Sequence, residues 1–160
     1  MRLLLFLAVL SLSHADKHVN LTWTDCSAAG AKGSIDSVDI LPNPPVLGTA
    51  CTLTGHGTLL EDFSDGQSTI KATFNNLPIP VTPSTISACG TTPVKLPLGL
   101  GTVTVKGVDC PAKAGKLDIT EVVTIPAIAP AGTYTAELRV VDDVPNEVIC
   151  VRAVIVVTGS

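Results

Sequence analysis

The sequence predicts an all-β fold, an antiparallel β-sandwich of about seven strands. Three observations carry that prediction. Beyond residue 16, apolar and polar residues alternate with period two in one segment after another, the mark of half-buried strands. Helical periodicity is hard to find over the same stretch. Between the segments stand clusters of Pro, Gly, Asn and Asp, which supply turn geometry.

Residues 1–15 read as a signal peptide. Arg2 gives a positive start, and the apolar run of residues 3–10 is too short to span a bilayer. Ser13-His14-Ala15 places small residues at the −3 and −1 positions of a cut after Ala15. Residues 16–160 then form one domain, long enough to bury a real core.

The expected strands follow in order. Residues 35–41 set Val38 and Ile40 against Ser34, Asp36 and Ser37, and residues 53–60 are Thr/Gly-rich and extended. Residues 68–77 put Ile70, Ala72 and Phe74 on one face and Thr69, Lys71 and Thr73 on the other. Residues 101–108 oppose Val103 and Val105 to Thr102, Thr104 and Lys106. Residues 116–125 contribute Leu117 and Ile119. Residues 133–141 set Tyr134, Ala136, Leu138 and Val140 against Thr135, Glu137 and Arg139. Residues 148–157 place Val151, Ala153 and Ile155 together, with Arg152 on the other face. The turns fall at Pro42-Asn43-Pro44-Pro45, Ser64-Asp65-Gly66, Pro78-Ile79-Pro80, Pro130-Ala131-Gly132 and Asp142-Asp143-Val144-Pro145-Asn146. Residues 80–100 are long and strand-poor, and loops of that length inside a domain are often functional. Within them, residues 94–100 read either as a cavity mouth or membrane-touching loop, or as a plain solvated loop.

Charge and composition exclude several functions. The net charge is −4, or −5 once Arg2 leaves with the signal, and no basic patch appears. Nucleic acid is therefore not an expected partner. Nucleophilic triads need a histidine. His14 leaves with the signal, His18 lies in the terminal tail, and His56, between Gly55 and Gly57, reads as a turn or surface residue. Met1 is the sole methionine, which removes the usual axial ligand of a blue-copper site, and zinc-type C-x₂-C spacing is absent. No enzyme, cofactor or metal is expected. Glu121 interrupts an apolar face; it reads as a buried acid, or more ordinarily as the site of a strand irregularity that turns it to water. A secretory route permits disulfides, and Asn20-Leu21-Thr22 is a glycosylation sequon on Asn20.

The order of the remaining motifs resembles a known family. Asp25-Cys26, residues 35–38 and Pro42-Asn43-Pro44-Pro45 come first. Cys110-Pro111, Lys113-Ala114-Gly115-Lys116, residues 125–130, Gly132-Thr133-Tyr134 and Ile149-Cys150 follow. Over roughly residues 25–157 this is similar to the ML domain, the MD-2-related lipid-recognition family of Niemann-Pick C2 sterol carriers and phosphatidylglycerol/phosphatidylinositol transfer proteins. The resemblance implies an immunoglobulin-like sandwich with an apolar cavity between its sheets. It also implies pairing of Cys26 with Cys150 and of Cys89 with Cys110. The sterol-carrier branch usually has a third bridge. Here Cys51 is present, but Asn43 stands where its partner is expected, and the Pro42-Asn43-Pro44-Pro45 run looks more like the phospholipid-transfer branch. Cys51 is then an odd thiol, either buried and inert or a link between two chains.

On that resemblance the cavity lining comes from inward positions of the central strands: Ile70, Ala72, Phe74, Val103, Val105, Leu117, Ile119, Tyr134, Ala136, Leu138, Val151, Ala153 and Ile155. The implied function is secreted lipid binding and transfer, with a sterol leading and a phospholipid next. The expected partners are that lipid and a transient membrane or lipid-transporter contact, for a monomer outside the cell or in the lumen of a lysosome, vacuole or endosome. Two other roles compete: an immunoglobulin-like adhesion module, and glycolipid recognition on the same fold. Immunoglobulin domains place a Trp between the paired cysteines; here Trp23 precedes Cys26.

Overall fold

Alternation along the chain builds two antiparallel sheets. The computed structural model describes residues 17–144 and 146–159; the expected signal peptide, residues 1–15, lies outside them. Among the described residues there are eleven strands: β1 (His18–Asp25), β2 (Gly33–Leu41), β3 (Ala50–Leu59), β4 (Gly66–Phe74), β5 (Leu77–Ile79), β6 (Thr85–Ser87), β7 (Thr91–Lys95), β8 (Thr102–Lys106), β9 (Gly115–Thr124), β10 (Gly132–Asp142) and β11 (Glu147–Thr158). The first sheet runs β1-β11-β10-β4-β5, with β6 also paired to β4, and the second runs β2-β3-β9-β8-β7. One turn of 3₁₀ helix at Pro97–Gly99 precedes β8. No helix among the described residues is long and apolar enough to cross a membrane.

The strand count exceeds the expected seven partly because β6 and β7 lie in residues 80–100, which looked strand-poor, and β5 takes up Pro78 and Ile79, which were expected to form a turn. Strands of three to five residues are too short to display a period-two pattern. Strand β1 was also not singled out by its pattern, yet it pairs with β11 along its whole length, from His18 opposite Thr158 to Asp25 opposite Val151. The sequon residue Asn20 sits on this strand with its side chain exposed.

Two local irregularities interrupt the strand register. In β2 the register shifts between Ile35 and Ser37, a bulge that explains why both Asp36 and Ser37 read as outward. A second shift separates Val140 from Val141 against β11. On the outer face of the first sheet, Lys71, Glu137 and Arg152 share a cross-strand row. There Glu137 accepts from Arg152 at 2.8 Å and from Arg139 at 3.3 Å.

Disulfides Cys26–Cys150 and Cys89–Cys110 form, the pairing that the family resemblance implied. The first ties the end of β1 to β11 across 124 residues of sequence. The second closes a segment of 21 residues that contains β7 and β8. Cys51 is free and buried.

The space between the sheets is not uniformly filled. At one end Ile35, Leu59, Leu117, Ile119, Val140 and Ile149 belong to a large buried cluster. At the other, a smaller cluster gathers Val19, Ile155 and Val157, with Leu47, Ile125 and Tyr134 against it.

Candidate functional site: a cavity between the sheets

The gap between those clusters begins with one row of small side chains. Ala72 on β4 lies opposite Ala136 on β10, which lies opposite Ala153 on β11. The rows on either side are larger. Ile70, Leu138 and Val151 flank it toward the packed end, and Phe74, Tyr134 and Ile155 flank it toward the other. Three consecutive methyl groups cannot reach the facing sheet as Leu or Ile would, so a cavity of about 100 Å³ remains. Leu53, Val103, Val105, Glu121 and Val123 form its far wall, and Ile79, Val94, Leu96, Leu100 and Ile125 also line it.

This volume is less than the roughly 150 Å³ that admits one benzene ring, so a longer guest requires side chains to shift. A second hollow of about 290 Å³ adjoins it and shares Leu100 and Tyr134 with it. Phe74, Gly99, Pro126, Ile128, Ala129 and Pro130 complete that vestibule. Its walls are fixed by identifiable contacts. The Phe74 and Tyr134 rings lie 4.7 Å apart. The Tyr134 hydroxyl donates to the Pro130 carbonyl at 2.9 Å, and Lys17 Nζ donates to the Ala129 carbonyl at 2.9 Å. Leu77 and Ile128 stand largely in solvent.

Of the positions expected to line a cavity, Ile70, Ala72, Val103, Val105, Tyr134, Ala136, Leu138, Val151, Ala153 and Ile155 do so. Phe74 shares a cross-strand row with Tyr134 and Ile155 but lines the vestibule instead. Leu117 and Ile119 lie on the inward face of β9 but farther toward the packed end, where both are buried in the large cluster. Period two identifies the face a residue occupies, not its depth along the strand. Val94, Leu96 and Leu100 bring the 94–100 segment into the cavity wall, so this segment is not a plain solvated loop. Leu53 was missed because β3 carries glycine or threonine at half of its positions, which hides its alternation.

Glu121 departs from the ordinary expectation. No irregularity turns it outward: β9 keeps continuous register with both β3 and β8, and Glu121 lies opposite Leu53 on one side and Val105 on the other. It is therefore in phase with Leu117, Ile119 and Val123. The residue is half-buried and lines the cavity. Among the described residues its carboxyl has no hydrogen-bond or ionic partner. Burial pushes its pKa up from 4.5 to about 7, because desolvation penalises the charged form. The acid on the opposite face of the first sheet, Glu137, is held by Arg152 and Arg139, and these bonds lower its pKa.

The remaining candidate groups lie elsewhere. Cys51 follows the inward face of β3, 4% exposed, with its thiol 3.9 Å from the Pro42 carbonyl. Burial raises its pKa, the opposite of what a reactive thiol requires. His56 is a mid-strand residue rather than a turn, with Nδ1 2.7 Å from Asp118 and Nε2 3.2 Å from Asp39. Asp118 first and Asp39 second hold its pKa above the usual value. Among the described residues, Cys26, Glu137 and Cys150 cluster at metal-ligand spacing. Their sulfurs are joined to each other and the carboxylate to two arginines, so they do not fit a metal.

The chain has relatives with the same overall plan. Residues 20–157 match the family model of the ML domain. A protein of Dictyostelium discoideum named "Putative phosphatidylglycerol/phosphatidylinositol transfer protein 2" is 30% identical over 151 residues, covering 94% of this chain and 96% of that protein. A phosphatidylglycerol/phosphatidylinositol transfer protein of Aspergillus oryzae is 29% identical over 119 residues, covering 74% of this chain and 61% of that protein. A crystal structure of a Niemann-Pick type C2 protein from the Japanese carpenter ant superposes with a TM-score of 0.52. It covers 83% of this chain and 96% of that one, and at 14% identity it shows the shared fold.

Proposed function

The chain belongs to the ML-domain family, and from that premise we propose that it binds one lipid between its sheets and carries it between membranes. A phospholipid is the favoured ligand class, because relatives that align over nearly the whole chain are named for phospholipid transfer. The observation that carries the reading is the alanine row Ala72–Ala136–Ala153, which opens an apolar cavity continuous in lining with the vestibule. Each methylene leaving water contributes about 0.8 kcal/mol, so about ten would give on the order of 8 kcal/mol before ordering costs. The sheets must part to admit such a chain, and a wall of Val, Ala, Leu and Ile offers no polar contact to break as they do.

No bond is made or broken in this function. Direction comes from differences in affinity and from docking, for which exposed Leu77 and Ile128 near the vestibule provide apolar contact. We read it as a monomer that acts in the secretory route, outside the cell or in an endolysosomal lumen; the leader expected over residues 1–15 and the two disulfides support that reading.

A second reading has one observation behind it. A sterol offers a rigid apolar body with a single hydroxyl, and Glu121 lines the cavity with no hydrogen-bond partner among the described residues. Transfer of fluorescent phosphatidylglycerol and of a fluorescent sterol between vesicles decides between them. Acceleration of phospholipid transfer is the expected result. Acceleration of sterol transfer alone would favour the second reading, and acceleration of neither would end the transfer function.

A further inference from the structure

We propose that the Glu121 carboxyl is a polar binding point at the inner end of the cavity, accepting a hydrogen bond from a hydroxyl on the buried end of the lipid. The inference rests on the reading of the cavity as the lipid site and adds to it a preference for one chemical group. Glu121 is the innermost residue of β9 that lines the cavity, since the next inward position, Ile119, is packed into the closed end. Whatever part of a guest enters first approaches it.

Carboxyl groups in apolar surroundings are costly unless bonded, and nothing in the described protein bonds this one. Its ladder neighbours are apolar, Leu53 on β3 and Val105 on β8. The inward side chains of the facing sheet that line the cavity near the alanine row, Leu138, Val151, Ala136 and Ala153, are apolar as well. The nearby ionisable groups do not supply a counter-charge. Arg139 and Arg152 lie on the outer face of the first sheet and are committed to Glu137. A methyl terminus against Glu121 would leave the carboxyl unpartnered. A ligand hydroxyl would satisfy it in either protonation state, donating to the ionised form and both donating to and accepting from the neutral form. An amine or a carboxylate on the ligand would match only one of those states.

The shared chemistry is a hydroxyl buried with the lipid, and it has two sources: the ring hydroxyl of a sterol, or a hydroxylated acyl chain. The test is a cycle of ligands against variants. Binding of 1-dodecanol and of tridecane, matched in heavy atoms, is measured by displacement of a fluorescent naphthylamine probe from the wild type, Glu121→Gln and Glu121→Leu. Dividing each variant's alcohol-to-alkane ratio of Kd by the wild-type ratio cancels the difference in water solubility. The expected preference for the alcohol is about tenfold or more greater in the wild type than in Glu121→Leu. Glu121→Gln, which keeps a hydrogen-bonding side chain, retains most of it.

Equal ratios in wild type and Glu121→Leu, with both ligands bound, would overturn the Glu121 site and leave the lipid cavity standing. Failure of either ligand to bind any of the three proteins would overturn both. Repeating the cycle with cholesterol and its 3-deoxy counterpart separates the sources. A matching ratio assigns the hydroxyl to a sterol, and a ratio seen only with the chain alcohol assigns it to a hydroxylated chain.

Discussion

The two ends of this sandwich share strands and differ in what those strands carry. At the packed end β9 presents Leu117 and Ile119, and β10 presents Leu138 and Val140, all buried. A few residues farther along the same inward faces, β9 presents Glu121 and Val123 and β10 presents Ala136 and Tyr134, and the interior opens. One strand pair can thus contribute to a close-packed core and to a cavity wall, with side-chain size along the row deciding which. Stability is expected to concentrate at the first end and binding at the second.

The largest effect should come from erasing the difference. Ala136→Leu places a branched side chain in the middle of the alanine row, opposite both Ala72 and Ala153. Lipid uptake should be lost, while urea denaturation shows a stability change within about 1.5 kcal/mol in either direction, since filling a void and crowding it oppose one another. Unfolding of the variant would mean that the row is packed more tightly than its cavity suggests.

Removing the long-range bridge should weaken the fold without altering the lining. Replacing both Cys26 and Cys150 by Ala releases a constraint spanning 124 residues, which costs about 4–5 kcal/mol on the chain-entropy model. Thermal unfolding at neutral pH measures it, and a loss below about 1 kcal/mol would show that the unfolded chain is hardly constrained by this bridge.

Glu121 should make stability depend on pH. Its pKa stands near 4.5 when unfolded and at about 7 in the fold. Between those values the folded state keeps a proton that the unfolded chain has released, so stability falls as pH rises through the window and is level above it. Glu121→Gln should accordingly stabilise the protein by up to about 3 kcal/mol at pH 8 and by almost nothing at pH 4. Chemical denaturation at both pH values checks this, and equal gains at the two would remove Glu121 as the cause.

The smallest contrast compares one substitution at the two ends. Val140→Ala, in the packed cluster, should cost about 2–3 kcal/mol, because transfer and cavity terms add. Val103→Ala, on a wall that already borders a cavity, should cost about half as much. Equal losses would mean that the two ends pack alike.

The sequence revealed faces more readily than depths. Alternation identified the inward sides of β4, β8 and β10, because each carries apolar residues two apart with Thr, Lys, Glu or Arg between them, and Arg152 alone marked the outer side of β11. It did not reveal that Leu117 and Ile119 sit too deep, since period two is the same along the whole strand, or that Phe74 faces the vestibule while Tyr134 and Ile155 of its row face the cavity. The disulfide pairing and the cavity came from resemblance, not from alternation. The short strands β5 to β7 gave too few residues for any pattern, and β1 needed β11 to define it. Glu121 was read outward because an ionised acid belongs in water; a cavity beside it and a pKa raised to about 7 make the inward position tolerable.

The most direct test is native mass spectrometry of wild type and Ala136→Leu after incubation with vesicles of phosphatidylglycerol, phosphatidylinositol and sterol, followed by organic extraction of the bound material. The wild type should carry one lipid per chain and Ala136→Leu none, with both proteins folded. A wild type that emerges without lipid, or a variant that retains it equally, would contradict binding between the sheets at the alanine row.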